Sequence, residues 1–210
     1  MKSLIIGITG GSGSGKSKIA EDLLQFLSPN ASLLALDNFY HPISEQPLDL
    51  NKRPNFDLPE SLDLQKFKEQ LTQLANGINI EIKEYTFNNP DLQPRILEVI
   101  SKPIIIVEGL FIFHLPDMES LIDIKIYIEV EENLKLERRL IRDTQLRGYN
   151  IDDVNYCHIN HVVPSYKLFI VNQKEKVHFV VFNNGNYVDA VNSLKDYLRT
   201  KLDPTFYSSK

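Results

Sequence analysis

Eight consecutive residues close to the N-terminus have the types and spacing of a phosphate-binding loop. The pattern G-x-x-x-x-G-K-[ST] is matched in full by Gly10-Gly11-Ser12-Gly13-Ser14-Gly15-Lys16-Ser17. In such a loop, backbone N–H groups and the start of the next helix face phosphate oxygens, the lysine lies beside the β- and γ-phosphates, and the hydroxyl binds magnesium. An apolar run precedes the loop and an amphipathic pattern follows it, as expected. These residues therefore predict a site for ATP or another nucleoside triphosphate and its Mg²⁺ ion.

Two acidic residues follow apolar runs that have the character of strands. Glu108 comes directly after residues 104–107, where a carboxylate helps to hold magnesium in phosphate-loop enzymes; an acid that starts a helix is the alternative. Asp37 comes directly after residues 32–36 and is suited to accept a proton from an acceptor hydroxyl, or instead to cap the next turn. The two acids indicate phosphoryl transfer to a small molecule.

The patterns of other nucleotide-binding proteins are incomplete. A GTPase reads guanine with N-K-x-D after a late strand, but residues 51–54 are Asn-Lys-Arg-Pro in a loop and residues 183–186 are Asn-Asn-Gly-Asn. The glycines at positions 11, 13 and 15 do not have the G-x-G-x-x-G spacing of a dinucleotide fold. A GTPase switch and a dinucleotide-dependent enzyme are therefore disfavoured.

Strand and helix patterns alternate along the chain. Strands are predicted at residues 3–8, 32–36, 104–107, 124–128 and 177–182, and helices at residues 16–27, 62–75, 131–147 and 188–202. Alternating apolar and polar residues at 78–87 predict a half-exposed hairpin. This order predicts one α/β domain with a doubly wound parallel sheet of the P-loop NTPase type, a hairpin insertion at about 77–95 and a helical lid. Right-handed crossovers would bring the phosphate loop, Asp37 and Glu108 to one edge of the sheet.

Composition limits the class of protein. A chain of 210 residues, 42% of them hydrophobic, is long enough for one buried core. A net charge of −5 argues against a general nucleic-acid binder, and the single cysteine, Cys157, excludes an intrachain disulfide and a cysteine-rich zinc site. No stretch approaches the ~20 apolar residues of a membrane span, so a cytoplasmic protein without membrane contact is expected.

Further motifs follow the phosphate loop in a defined order. They are Leu36-Asp37-Asn38-Phe39-Tyr40, Asn55-Phe56-Asp57-Leu58-Pro59, Val107-Glu108-Gly109-Leu110, Arg138-Arg139-Leu140-Ile141-Arg142-Asp143 and Arg147-Gly148. In this combination, over roughly residues 4–200, the sequence resembles the uridine kinase family of nucleoside kinases. The resemblance implies that Asp37 is the catalytic base, that Lys16 contacts the phosphates, and that Ser17 and Glu108 hold Mg²⁺.

The resemblance also implies an acceptor site. Asp57 would contact the sugar hydroxyls and Tyr85 would pack against the base, although Tyr85 could instead be a cross-strand packing residue. The family has a His-x-Arg segment after this tyrosine that reads the base. Here Gln93 stands where histidine is expected, followed by Arg95. Gln93 and Arg95 are therefore predicted to contact the acceptor, through a base contact that differs from the family's.

Four arginines lie in and just after one predicted helix. The resemblance implies a lid at about 133–160, in which Arg139 and Arg142 stabilise the transferring phosphoryl group and Arg147 binds ATP; a solvated helix face is the alternative. Arg138 is expected to face solvent.

Residues after the arginines depart from the family pattern. Tyr149 replaces a second basic residue, and Cys157 and His158 replace Gln-Tyr. His158 and His161 are three residues apart, which could suit a metal, but no further ligand cluster accompanies them. Surface histidines of a helix are therefore the expectation.

The expected activity is transfer of the γ-phosphate of ATP, with Mg²⁺, to the 5′-hydroxyl of a ribonucleoside, with uridine or cytidine favoured. A nicotinamide riboside kinase or another small-metabolite P-loop kinase is the first alternative. A nucleotide-binding regulatory protein that has lost transfer chemistry is the second. The expected partners are the nucleoside and the nucleoside triphosphate, without nucleic acid, and the resemblance suggests a homo-oligomer.

Overall fold

A central sheet of parallel strands forms the frame of the molecule. The computed structural model describes residues 2–89 and 91–207. The strands in chain order are β1 (Leu4–Gly10), β2 (Ala31–Ala35), β3 (Ile80–Lys83), β4 (Ile96–Val99), β5 (Ile104–Glu108), β6 (Ile124–Glu129) and β7 (Phe179–Phe182). Strands β2, β5, β1, β6 and β7 lie side by side in that order, and every neighbouring pair is parallel. The predicted α/β fold with a parallel sheet is confirmed.

Helices cover both faces of this sheet. They are α1 (Lys16–Phe26), α2 (Leu64–Ala75), α3 (Pro116–Glu119), α4 (Glu132–Gln145), α5 (Ile151–Cys157), α6 (Val163–Ser165) and α7 (Tyr187–Arg199). None of the helices described within residues 2–89 and 91–207 is long and apolar enough to cross a membrane.

Successive residues of β5 alternate between two cores. Ile105 and Val107 pack in the core that contains α2, whereas Ile104 and Ile106 pack in the core that contains α1 and α7. All residues of β5 are buried, because helices lie on both sides of the sheet. This explains the continuous apolar run at this position. Because neighbouring strands are parallel, their C-terminal ends lie at one edge of the sheet, where β1 leads into the phosphate loop.

The hairpin insertion differs from the prediction. Strands β3 and β4 pair antiparallel, with Ile80 opposite Val99 and Lys83 opposite Ile96, so the second strand lies beyond the predicted end at residue 95. The predicted strand to residue 87 is too long, because Phe87 and Asn88 have φ angles of 54° and 58°, which the extended backbone of a strand cannot contain. A loop that includes Tyr85 joins the two strands.

The helical stretch after the lid helix α4 extends beyond the predicted end of the lid at about residue 160. It runs from α5 through a π-helical turn (His158–Val162), α6, a second π-helical turn (Tyr166–Ile170) and a 3₁₀ segment (Val171–Lys176). Pro164 lies inside it. Proline lacks a backbone N–H and clashes with the preceding helical turn, and wider π-turns on both sides accommodate such a residue. The proline conceals the continuation of the helical pattern in the sequence.

Candidate active site

The phosphate loop connects the end of β1 to the start of α1. Gly13 has a φ of +83°, and a Cβ atom built there would lie 2.5 Å from the backbone oxygen of Lys135 in α4. Glycine is therefore required both by the left-handed backbone and by the close approach of the lid helix. Lys16, the first residue of α1, is buried. The loop is thus placed between the sheet edge and the lid, with the N-terminus of α1 behind it.

Glu108 and Ser17 meet at the edge of the sheet. The Oγ of Ser17 donates a hydrogen bond of 3.0 Å to Oε1 of Glu108. Oε2 of Glu108 is buried and has no hydrogen-bond partner among the described residues. Burial raises the pKa of Glu108 to about 7. The positive charge of Lys16 lowers this pKa, whereas the negative charge of Asp37 raises it further. An orphaned carboxylate oxygen beside a hydroxyl suits a divalent cation, since Mg²⁺ prefers oxygen ligands and would favour the ionised acid.

Asp37 lies at the same edge, in a 3₁₀ turn (Leu36–Phe39) that follows β2. The approach of this turn to β5 is close, because a Cβ atom on Gly109 would lie 2.4 Å from Cβ of Leu36. A glycine after Glu108 therefore lets the two acids come together. The charge of Asp37 affects the pKa of both Glu108 and Arg142.

A cavity of about 370 Å³ opens beside the phosphate loop. Eight of the residues predicted for the site line it: Ser12, Lys16, Asp37, Asp57, Tyr85, Arg139, Arg142 and Arg147. Much of the remaining wall is apolar or aromatic, including Tyr40, Ile43, Phe56, Phe87 and Val154. A wall with charged groups at one part and aromatic rings at another suits a small molecule that has both a polar and a flat apolar portion.

Asp57 is fixed within the loop between β2 and α2. Its backbone N–H donates to Oδ1 of Asn55 at 3.0 Å, and the Oγ of Ser61 donates to the backbone oxygen of Asn55 at 2.6 Å. The carboxylate lies 3.9 Å from Nη1 of Arg139. Burial raises the pKa of Asp57, although the positive charge of Arg139 lowers it in part. The hydrogen-bonded loop therefore presents this carboxylate to the cavity in a fixed position.

The lid arginines converge on Asp143, which sequence reasoning did not assign to the site. Nε of Arg142 donates to Oδ1 of Asp143 at 2.8 Å, while Arg139 and Arg147 lie 3.4 and 3.3 Å from its carboxylate. Burial opposes ionisation, but the hydrogen bond and the three positive charges hold the pKa of Asp143 below its usual value. The sequence indicates this cluster through its spacing: Asp143 lies four residues after Arg139 and four residues before Arg147, so the three side chains share one face of the predicted helix.

Arg138 does not face solvent as predicted. Its Nη2 donates a hydrogen bond of 2.9 Å to the backbone oxygen of Asn183, and Nδ2 of Asn183 donates to the backbone oxygen of Ser14 at 2.9 Å. The prediction was wrong because the segment after β7 folds against α4, a contact between residues far apart in sequence. These bonds connect the lid helix, the segment after β7 and the phosphate loop.

Tyr85 belongs to a set of aromatic rings at one end of the cavity. Its ring centroid lies 5.2 Å from those of Tyr40 and Phe87, and the guanidinium of Arg147 lies 3.5 Å from the centroid of Phe87. Tyr149 donates a hydrogen bond of 3.0 Å to the backbone oxygen of Phe87. The loop of the hairpin and the end of the lid therefore contact each other across this end of the cavity.

Gln93 and Arg95 are not among the residues that line the cavity. Both are exposed, and Arg95 forms two hydrogen bonds of 2.8 Å with the carboxylate of Glu84. The backbone N–H of Glu84 also donates to the backbone oxygen of Arg95, so these residues continue the hairpin ladder. Cross-strand pairing therefore directs Arg95 to Glu84.

His158 and His161 are buried, and the prediction of surface histidines is wrong. The loop between β2 and α2 folds over this part of the helical stretch, and His161 Nε2 lies 2.8 Å from Oδ2 of Asp49. His158 Nε2 lies 3.8 Å from Glu132. Within the described part of the chain, no group of three or more histidine, cysteine, aspartate or glutamate residues is arranged to hold a metal ion.

Comparisons with known proteins identify the family of this chain. The model of the phosphoribulokinase/uridine kinase family matches residues 5–189. A uridine kinase of Borrelia garinii subsp. bavariensis is 34% identical over 196 residues, which are 93% of this chain and 94% of that protein. A uridine kinase of Clostridium novyi is 31% identical over 203 residues, which are 96% of this chain and 98% of that protein.

Solved structures with the same fold have lower identity. The phosphoribulokinase from Rhodobacter spheroides superposes with a TM-score of 0.61 at 16% identity, over 86% of this chain and 70% of that one. A D-glycerate 3-kinase from Cryptococcus neoformans superposes with a TM-score of 0.59 at 17% identity, over 87% of this chain and 86% of that one. At this level of identity the likeness concerns the fold alone.

Proposed function

The chain belongs to the phosphoribulokinase/uridine kinase family, and we propose that it transfers the γ-phosphoryl group of ATP to the 5′-hydroxyl of a ribonucleoside. The observation that best supports this proposal is the common cavity of Lys16, Asp37, Asp57 and the lid arginines, next to the phosphate loop. Relatives that cover almost the whole chain are named uridine kinases, so uridine, with cytidine, is the proposed acceptor.

The donor end of the site is formed by the phosphate loop. Its backbone N–H groups and the N-terminus of α1 would bind the phosphates, and the ammonium of Lys16 would contact the β- and γ-phosphates. Ser17 and Glu108 would hold Mg²⁺, which when bound neutralises the charge that develops on the phosphate oxygens. The hydrogen bond between Ser17 and Glu108 keeps both oxygen ligands at one point.

The transfer step needs a proton acceptor and positive charge. Asp37 would accept the proton of the acceptor hydroxyl while the arginines of the lid stabilise the transferring group. Asp143 positions those arginines, since it contacts Arg139, Arg142 and Arg147 within 3.4 Å. Because the lid helix touches the phosphate loop, it would also keep water away from the transferring group.

The acceptor end lies opposite the loop. The carboxylate of Asp57 would accept hydrogen bonds from sugar hydroxyls, and the rings of Tyr40 and Tyr85 would pack against the base. Burial raises the pKa of Tyr85 to about 12, so its hydroxyl stays protonated and can donate a hydrogen bond. An aromatic wall of this kind suits a planar base better than an open-chain sugar phosphate.

A panel of acceptors tests the proposal. Steady-state assays with ATP and Mg²⁺ would compare uridine, cytidine, nicotinamide riboside, pantothenate and ribulose 5-phosphate. The highest kcat/KM is expected with uridine or cytidine. A preference for nicotinamide riboside would identify a different nucleoside kinase, and ATP binding without turnover on any acceptor would indicate a regulatory protein.

A further inference from the structure

His161 lines the cavity and has no role in the proposed chemistry; it is held by a hydrogen-bonded group behind the wall. Asp49, in the loop between β2 and α2, is the centre of a hydrogen-bonded group. Its Oδ2 accepts hydrogen bonds from the hydroxyl of Tyr156 at 2.6 Å and lies 2.8 Å from Nε2 of His161. Its Oδ1 accepts from the backbone N–H groups of Asn51 and Arg53 at 2.8 and 2.9 Å. The group joins this loop to the helical stretch after the lid.

Asp49 determines which nitrogen of His161 carries a proton. The hydrogen bond from Tyr156, together with those from the backbone, holds the pKa of Asp49 well below its usual value. An ionised carboxylate can only accept hydrogen bonds, so Nε2 of His161 must donate to it. In the neutral ring, Nδ1 is then an acceptor. Among the described residues, the contact with Asp49 is the only hydrogen bond of the His161 side chain.

His161 is also near the carboxylate proposed to bind the sugar. It lines the same cavity as Asp57, and the two side chains are close enough to interact electrostatically. Only 1% of the His161 side chain is exposed. The contact with Asp49 holds the ring in one orientation, and a small polar group could reach the ring only from the cavity that it lines.

We propose that Nδ1 of His161 accepts a hydrogen bond from a ribose hydroxyl of the acceptor, so that His161 is a specificity-determining residue for ribonucleosides over deoxynucleosides. This inference rests on the proposed function. Two vicinal hydroxyls are shared by two acceptors, the carboxylate of Asp57 and the imidazole of His161. Asp49 is a positioning residue, since it acts through His161. A site that hydrogen-bonds a hydroxyl discriminates against an analogue that lacks it, because its buried polar group is left unpaired.

The competing explanation is that His161 only fastens the loop to the helical stretch. The variant His161→Gln separates the two explanations. The glutamine amide can still donate to Asp49, but its Cγ is a CH₂ group, so it carries no acceptor at the position of Nδ1. The matched control is Tyr156→Phe, which removes another hydrogen bond to Asp49 from a residue outside the cavity wall. Thermal unfolding of both variants would report how much each substitution weakens the contact between the loop and the helical stretch.

The measurement is kcat/KM for uridine, 2′-deoxyuridine and 3′-deoxyuridine with the wild type and both variants. We expect His161→Gln to reduce the preference for uridine over one of the two deoxynucleosides by about tenfold, and Tyr156→Phe to leave both preferences unchanged.

Unchanged preferences in His161→Gln would overturn the inference, whatever happens to the overall rate. So would a wild type that does not distinguish uridine from either deoxynucleoside, a result that needs no variant. A wild type that phosphorylates none of these nucleosides would contradict the proposed function itself, and the inference would fall with it.

Discussion

Nη1 of Arg139 donates a hydrogen bond of 2.8 Å to Oγ of Ser12, which joins the lid helix to the phosphate loop. The close approach of Gly13 to the backbone of Lys135 lies beside this bond. A guanidinium in this position is directed at the place where the loop would hold phosphate oxygens. The donor site and the lid therefore form one unit.

Asp37→Asn should remove the proton acceptor while keeping the size of the side chain. We expect kcat to fall by about 10²- to 10⁴-fold, with the KM for ATP changed by less than about threefold, since Asp37 would not bind the donor. Steady-state kinetics with uridine as acceptor would measure both values. Near-normal kcat in this variant would show that another group takes the proton.

Arg142→Ala should weaken the stabilisation of the transferring group. Arg142 lines the cavity, and the loss of one such charged donor is expected to lower kcat by about 10²- to 10³-fold. Arg138→Ala is the matched control on the same helix, because Arg138 donates to Asn183 outside the cavity. Because Arg138 is connected to the phosphate loop through Asn183 and does not line the cavity, the kcat of this control should fall much less than that of Arg142→Ala. Equal losses in the two variants would point to damage of the helix instead of chemistry.

Asp57→Asn and Arg95→Ala distinguish the cavity wall from the hairpin surface. Only 13% of the Asp57 side chain is exposed, and it lies beside Arg139. By contrast, 74% of the Arg95 side chain is exposed, and it pairs with Glu84. We expect Asp57→Asn to raise the KM for the nucleoside by about 10- to 100-fold. Arg95→Ala should change this KM by less than about twofold, because an exposed ion pair contributes little. A large effect of Arg95→Ala would mean that the hairpin loop moves over the acceptor.

Asp143→Asn should lower stability in a pH-dependent way. The folded protein holds the pKa of Asp143 below its unfolded value, which is about 4. The carboxylate therefore contributes stability above about pH 4, and this contribution is lost as the pH falls through the folded pKa. At pH 7 we expect a loss of roughly 3 kcal/mol in the free energy of unfolding, because three arginines lose a buried partner.

Urea denaturation at pH 7, 4 and 3 checks this prediction. The difference between wild type and Asp143→Asn should shrink as the pH falls. A difference that stays constant across this range would show that the contribution of Asp143 does not depend on its charge.

Glu108→Gln should weaken the response to magnesium. The substitution removes the charge from a buried acid whose Oε2 is free to bind a cation. We expect the Mg²⁺ concentration for half-maximal activity to rise by at least about tenfold. Titration of activity with MgCl₂ at fixed ATP would measure it. An unchanged titration curve would assign the ion to other ligands.

The residues that local sequence patterns could identify are those fixed by a single loop or strand end. The spacing from Gly10 to Ser17 predicted the phosphate loop, and the strand ends predicted that Asp37 and Glu108 would reach one edge. Both predictions concern short segments, in which the backbone conformation follows from glycine content and from an apolar run. The parallel sheet follows from the same alternation.

The residues that escaped prediction depend on contacts between distant segments. Asp49 meets His161 only because the loop between β2 and α2 folds over the helical stretch, and no local pattern reports that contact. Asp143 belongs to an arginine-rich motif in the sequence, and its distinct role follows only from its position among three guanidinium groups. Arg95 was aligned by motif, but strand pairing directs it to Glu84.

The most direct test of the central claim is to incubate the protein with uridine, Mg²⁺ and ATP labelled in the γ-phosphate, and to identify the labelled product. The proposed function predicts that the label appears in uridine 5′-monophosphate, with one ADP formed for each molecule of product. ADP formed without labelled nucleotide, or label on the 2′- or 3′-hydroxyl, would contradict it.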